Sequence, residues 1–449
     1  MPAVTDAPMS GLENPADRAL TLALADEAEA ALRWAAALVK SEPSGALGLL
    51  ITGRLLGALG VAESGARALE VSVARAIDSG NLPLAVAGCC ELKKLGREAA
   101  KCLESVAVAF ARDSERLAHG VKPPVLPGRG GEFQPLPQVL AGKALIQRAE
   151  EAVDAAYQLL ADDQSERAVQ PQVVHQTLFS ALDAQGLRAM IGIFDVMTVP
   201  TAAHVIEEGM VGSEAYVVAR GELEVQRGTS SGNALRLARL GNGALFGEMA
   251  LLSRAPRAAS VVACRPSILL VCGKDALEAV VERQPEVGRE FAAYCRRRMV
   301  ENLVRTSSVL NAVKAKERAA LVDCFETRTF EAGTRLIEQD QESDGLHLIA
   351  SGEVAVVHRD GDDSTVITTL GPGDVVGEVA LVLRRPASAD VIAEHPTVTL
   401  HLPRDGFLDI VKRHPALLAQ LYELAVKRDE ETSSIVAQEA TDIDEFVLI

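Results

Sequence analysis

The chain has 449 residues, too many for one hydrophobic core; at roughly 100–200 residues per domain it divides into two to four. Hydrophobic residues make up 48% and charged residues 24%, the proportions of a folded globular protein and not of a disordered or fibrous one. The 62 acidic side chains outnumber the 45 basic ones and leave a net charge of -17, which excludes a general phosphate-backbone-binding face. An aromatic content of 3% likewise excludes a stacking platform for single strands, so no nucleic-acid partner is expected. A small basic pocket for one phosphate stays open. Seven cysteines occur without a CxxC pair, and His175, His204, His347, His358 and His401 have no metal-ligand spacing, so no metal site is expected. The opening, MPAVTDAPMSGLENPADRAL, carries no basic segment followed by an apolar one, and no secretory leader is expected. The most apolar stretch, residues 45–62, has Arg54 at its centre and several glycines, which argues against a membrane span. These features together predict a cytoplasmic protein.

In chain order, residues 1–14 read as disordered and 15–118 as an α-helical, repeat-like domain. Its breaks fall at SEPSG (41–45), LGVAESG (59–65) and DSGNLP (78–83), where Asn81 or Ser79 is placed to cap the next helix. Helices of this length in antiparallel pairs weakly resemble tetratricopeptide repeats. Trp34 sits at helical spacing and reads as core. Residues 119–138 hold five prolines among four glycines and predict an extended linker. A connecting region, 139–174, follows, with one amphipathic helix over 139–163.

From about 175 the chain turns to short β-rich runs, and it repeats itself. Gly221 and Gly352 are 131 apart, as are Phe194 and Phe325, whereas Leu240 and Leu370, and Glu248 and Glu378, are 130 apart. One loop deletion between two copies accounts for the difference. Each copy runs from a short helix through several strands to a Gly-rich motif, a strand and a helix, the grammar of a small antiparallel barrel or jelly roll. The copies span 175–305 and 306–430, with an acidic tail over 431–449 whose end, QEATDIDEFVLI (438–449), reads as disordered, with a docking peptide as the alternative. The expected fold is therefore multidomain: a helical N-terminal domain, then two tandem α+β jelly-roll barrels.

The motif FGEMALLSRAPRAAS (246–260) carries the chemistry. Gly247 permits close approach of backbone to a ligand. Glu248 can accept hydrogen bonds from a sugar hydroxyl. The turn beginning at Met249 and Ala250 directs free N–H groups at an anion. Arg257 supplies a guanidinium for a phosphate, and the small Ala258 and Ala259 let backbone N–H groups reach it. This combination fits a compact nucleotide monophosphate. The stretch closely resembles the phosphate-binding cassette of the cyclic-nucleotide-binding domain family, as in protein kinase A regulatory subunits and the catabolite activator protein. The resemblance implies that Glu248 holds the ribose 2′-hydroxyl and Arg257 the cyclic phosphate, with backbone contacts from Gly247, Ala250 and Ala258. Cyclic-GMP-preferring relatives tend to place Thr after the Arg; Ala258 there leans the expected ligand toward cyclic AMP.

The second copy departs from the pattern. Gly377 and Glu378 persist, but Ala387 stands at the Arg position, followed by Ser388, and Asp390 replaces the first copy's Ser260. Its phosphate site therefore reads as degenerate, with Asp390 adding repulsion and with Arg384 or Arg385 as the available substitutes. Ala387→Arg is expected to restore a weaker site. RRPAS (384–388) looks like a kinase site inside a folded motif, and the arginines at 296–298 read as a solvated helix face. No Walker loop, kinase signature or Ser/His/Asp arrangement is present. The function expected is a non-catalytic cyclic-nucleotide receptor that binds an unknown protein partner through its N-terminal helices. A scaffold with ligand-free barrels and a kinase-regulatory subunit are the alternatives. The linker lacks the basic pseudosubstrate of the latter, and only a short acidic stretch follows the last helix where a transcription regulator would carry its helix-turn-helix.

Overall fold

A computed structural model describes residues 14–118, 133–166, 173–174, 178–228, 234–249, 251, 256–314, 316–317, 321, 324–361 and 363–446. Residues 1–13, most of the linker and Ala250 lie outside them. The chain separates into two compact units, one of Met1–Glu207, Glu214–Glu248 and Ala259–Phe291, the other of Glu208–Ser213, Met249–Ala258 and Ala292–Ile449.

The first unit begins with six helices, α1 (Pro15–Leu24), α2 (Ala28–Ser41), α3 (Ala46–Ala58), α4 (Ala62–Asp78), α5 (Leu82–Lys94) and α6 (Ala100–Phe110). Asn14 caps α1 through the Ala16 N–H, and of the two candidates before α5 it is Asn81 that caps, accepting from the Leu84 N–H at 3.1 Å. Helices α3 and α4 approach closely because glycines face each other: a Cβ on Gly53 would fall 2.8 Å from the Gly65 carbonyl oxygen. Trp34 is buried, as core, and stacks on Phe133 at 5.7 Å. Residues 117–118 (β1) pair in parallel with 173–174 (β2), and between them α7 (Gly142–Glu166) is held by Ser64–Glu150 and Arg67–Asp154 contacts, each 2.6 Å.

Asp183 then caps α8 (Ala184–Gly192), and a sandwich of two antiparallel four-stranded sheets follows. One sheet orders β3 (Asp195–Val199), β10 (Ser267–Gly273), β5 (Glu214–Arg220) and β8 (Leu245–Phe246). The other orders β4 (His204–Ile206), β9 (Ser260–Ala263), β6 (Leu223–Gly228) and β7 (Ala234–Leu240). Val218, Leu223, Val261 and Leu269 fill the space between. Strand β5 is buried at six consecutive positions instead of alternating. Both of its faces are covered, one by the sandwich core and one by α5, which lies across β3, β10 and β5. The lid is pinned by polar contacts: Lys94 Nζ donates to the Val196 carbonyl at 2.5 Å, Lys93 Nζ to Gly192 at 2.7 Å, and Cys90 Sγ to Phe194 at 3.1 Å. At the other end Asp17 of α1 accepts from both Arg220 and Arg265. Helices α9 (Lys274–Arg283) and α10 (Pro285–Thr306) follow the sandwich.

The second unit repeats the plan after a short α11 (Ser308–Asn311). One sheet orders β11 (Glu326–Phe330), β18 (Thr397–Pro403), β13 (Gly345–Ser351) and β16 (Val375–Val376); the other orders β12 (Arg335–Ile337), β17 (Asp390–Ala393), β14 (Val354–Asp360) and β15 (Asp363–Leu370). Strands β11 to β14 start 131 residues after their counterparts, and β17 and β18 start 130 after theirs. The missing residue thus belongs to the hairpin that ends with β7 and β15. Helices α12 (Glu378–Leu383), α13 (Arg404–Arg413) and α14 (Pro415–Phe446) complete the unit around a core that includes Leu346, Leu400, Phe407 and Leu421.

Two expectations need correction. The acidic stretch read as a disordered tail is helical, since α14 continues to Phe446. Its sequence contains no Gly or Pro to stop the helix that precedes it. The arginines at 296–298 are not simply solvated either: Arg296 donates to Thr327 Oγ1 at 2.5 Å and to the Phe325 carbonyl at 2.7 Å, fastening α10 to the start of β11.

Candidate ligand-binding sites

In the first sandwich, β8 pairs Phe246 with Tyr216, and their rings stack at 5.2 Å. The next residue, Gly247, has φ +75°, so the chain turns out of the strand through a conformation that a side chain disfavours. Glu248 follows, and despite its charge it is 5% exposed. Met249 begins a stretch that belongs to the second unit and packs against that unit's own apolar core. Arg257 is fixed through its backbone, its N–H donating to the Met210 carbonyl at 2.9 Å and its own carbonyl accepting from Gly209 at 2.8 Å. The guanidinium lies over Gly212, where a Cβ would fall 2.6 Å from Nη2. Gly212, which lies outside the motif, leaves the room that this guanidinium occupies. Ala258 is exposed, and half-buried Ala259 leads into β9.

The second sandwich keeps the turn and changes the charge. Gly377 has φ +89°, and Glu378, 2% exposed, opens α12. A cavity of about 280 Å³ sits beside it, lined by Ile337, Leu370, Glu378, Ala387, Ser388 and Arg428, among others. No phosphate-binding guanidinium stands at Ala387, which is itself 6% exposed. Instead, Arg428 reaches in from α14 and donates to Glu378 Oε1 at 2.7 Å and to the Val375 carbonyl at 2.5 Å. Burial pushes the Glu378 carboxyl upward, and Arg428 opposes that shift.

Sequence reasoning missed Arg428, which lies outside the motif on an otherwise ordinary helix. The substitutes it named do not serve: Arg385 pairs with Asp429, and neither Arg384 nor Arg385 lines the cavity. Asp390 is also not a source of repulsion. It is 1% exposed, bonded to Arg359 Nε at 2.8 Å, to Arg335 Nε at 3.3 Å and to the Gln339 N–H at 2.7 Å.

The family model for the cyclic nucleotide-binding domain matches residues 196–284 and 327–414. The chain carries two tandem cyclic-nucleotide-binding domains. The matched domain is a binding module and not a catalytic one. Among similar curated proteins, a cAMP-dependent protein kinase regulatory subunit of Yarrowia lipolytica is 30% identical over 235 residues, covering 52% of this chain and 59% of the relative. A type II regulatory subunit of Drosophila melanogaster is 30% identical over 250 residues, covering 56% and 61%. The chain thus spans about three-fifths of these relatives' length. Among solved structures, the regulatory domain of Toxoplasma gondii PKA with cAMP is 28% identical, covering 57% of this chain and 92% of that one, with a TM-score of 0.27. The Thermus thermophilus catabolite activator protein is 30% identical, covering 33% and 69%, with a TM-score of 0.28. Both domain matches fall outside the helical N-terminal region, and its likeness to tetratricopeptide repeats gains no support. Among the described residues, no helix is long and apolar enough to cross a membrane.

Proposed function

We propose that the chain is a cyclic-nucleotide receptor whose first domain binds cyclic AMP and whose second domain holds no phosphate. The reading rests on the Phe246-Gly247-Glu248 turn with its left-handed glycine and buried carboxylate, followed nine residues later by a backbone-anchored Arg257. Glu248 accepts from the ribose hydroxyl, Arg257 pairs with the cyclic phosphate, and the backbone of Gly247 and Ala258 completes the cradle beside Met249 and Ala259. Ala258 offers no hydroxyl to a guanine, which favours cyclic AMP over cyclic GMP. In the second domain Ala387 supplies no charge and Glu378 is already paired, which supports a structural role.

The receptor passes its signal to a protein partner through the N-terminal helices, whose α5 covers the first sandwich. A kinase catalytic subunit is the second reading, favoured by the regulatory subunits among the relatives. Titration of the purified chain with cyclic AMP, cyclic GMP and cyclic dinucleotides, followed by capture of a kinase catalytic subunit with and without the nucleotide, tests both. Binding of none of these nucleotides would overturn the receptor reading, and nucleotide-independent failure to capture the kinase would remove the second.

A further inference from the structure

The histidines show no metal spacing along the chain, but sheet register brings two of them side by side. Strands β13 and β18 are antiparallel with His347 directly opposite His401, and Asp344 immediately precedes β13. The imidazoles are 0% and 1% exposed, whereas the Asp344 side chain is 53% exposed, so the cluster opens to solvent only on the carboxylate side. Asp344 Oδ1 lies 3.3 Å from His347 Nε2 and 3.4 Å from His401 Nε2. One donor atom from each of the three residues lies within 4.8 Å of the others.

Three features distinguish this from an ordinary carboxylate–histidine contact. First, both separations are long for a charge-assisted hydrogen bond, which closes to about 2.7–2.9 Å. They match instead the edge, about 3.3–3.4 Å, of a tetrahedron whose centre is about 2.0–2.1 Å from nitrogen and oxygen donors. Second, neither ring nitrogen of buried His401 makes a hydrogen bond of good geometry, an omission that a native core rarely tolerates. Third, no side chain crowds His401 from Gly345, where a Cβ would fall 2.5 Å from Nε2 as well as 2.3 Å from the Leu402 carbonyl oxygen.

The surroundings prepare the donors. His347 Nδ1 lies 3.1 Å from Thr399 Oγ1. With that nitrogen donating to the hydroxyl, His347 presents its Nε2 lone pair toward Asp344, the tautomer a metal ligand needs. Arg328 Nη1 binds Asp344 Oδ2 at 2.5 Å, which leaves Oδ1 for the shared centre. Phe330 closes the His347 side edge-on at 5.9 Å.

We propose that Asp344, His347 and His401 form a binding site for a divalent transition-metal ion, zinc by the chemistry of its donors, with a fourth position open to water. The ion ties the loop before β13 to the β13–β18 pair and stabilises the second domain. The site is independent of the nucleotide-binding reading.

The test uses the full chain freed of metal with a chelator and titrated with cobalt(II) as a spectroscopic probe, then with zinc. The expected result is one cobalt per chain with the visible absorption of a four-coordinate ion, discharged by zinc. Asp344→Asn, on the exposed side, should weaken cobalt binding about tenfold or more. His401→Gln should abolish it, and zinc should raise the melting temperature of the unsubstituted chain but not of either variant. Should His401→Gln fail to fold, the Asp344→Asn comparison decides by itself. Absence of the cobalt band at stoichiometric metal, or equal affinity in Asp344→Asn, would overturn the proposal.

Discussion

Replacing Arg428 with Ala isolates what the C-terminal helix does for the second domain. Glu378 is 2% exposed and Arg428 donates to it at 2.7 Å, so the substitution strands a buried carboxylate and also frees the Val375 carbonyl. Breaking one side of a buried ion pair costs about 3–5 kcal/mol. The lower end applies here, because the Arg428 side chain is 18% exposed and water can partly replace it. The penalty should depend on pH in a definite direction. Burial already holds the Glu378 carboxyl above its ordinary range, and losing Arg428 raises it further. A carboxyl whose folded value lies above its unfolded value binds more protons when folded, so its contribution is present at low pH and lost as pH rises. The destabilisation should therefore be full near about pH 7 and shrink toward about pH 5. Glu378→Gln in the same background should recover most of it. Hydrogen exchange of peptides from α14 and from β13 to β18 reads the local opening free energy at both pH values. Unchanged protection at neutral pH, or a loss identical at both, would show that the Arg428–Glu378 pair does not hold this domain together.

Other substitutions probe the remaining links. Gly212→Ala should leave the fold intact, because its nearest neighbour is a flexible side-chain end, but displace Arg257 and weaken cyclic AMP binding about tenfold by calorimetry. Asp17→Ala should destabilise the first unit by about 3 kcal/mol in urea unfolding, since buried Arg220 loses its carboxylate and keeps only the Pro266 carbonyl. Ala387→Arg should not by itself create a second nucleotide site, because Glu378 remains bound to Arg428. Adding Arg428→Gln should release Glu378, and equilibrium dialysis should then detect weak second-site binding.

The tandem arrangement was legible because both domains keep the same landmarks at a nearly constant offset. The strands start where that offset places them, and the motif turn at Gly247 has its partner at Gly377. Features made by distant segments were not legible. Arg428 is 50 residues beyond Glu378 and carries no motif. The His347–His401 pair exists only through strand register, which spacing along the chain does not encode. The covering of β5 by α5 left a trace that could have been read, an unbroken apolar run in AYVVA where a half-exposed strand would alternate. The C-terminal stretch misled because acidic composition suggested solvation, whereas it continues an already nucleated helix and holds no Gly or Pro to break it.

The central claim, one phosphate-binding domain and one without, is tested most directly by the stoichiometry of cyclic AMP bound to the full chain and to Arg257→Ala. One nucleotide per chain is expected, with Arg257→Ala losing about 2–5 kcal/mol of binding free energy, enough to remove the site at working concentrations. Two nucleotides per chain, or one that survives Arg257→Ala unchanged, would contradict it.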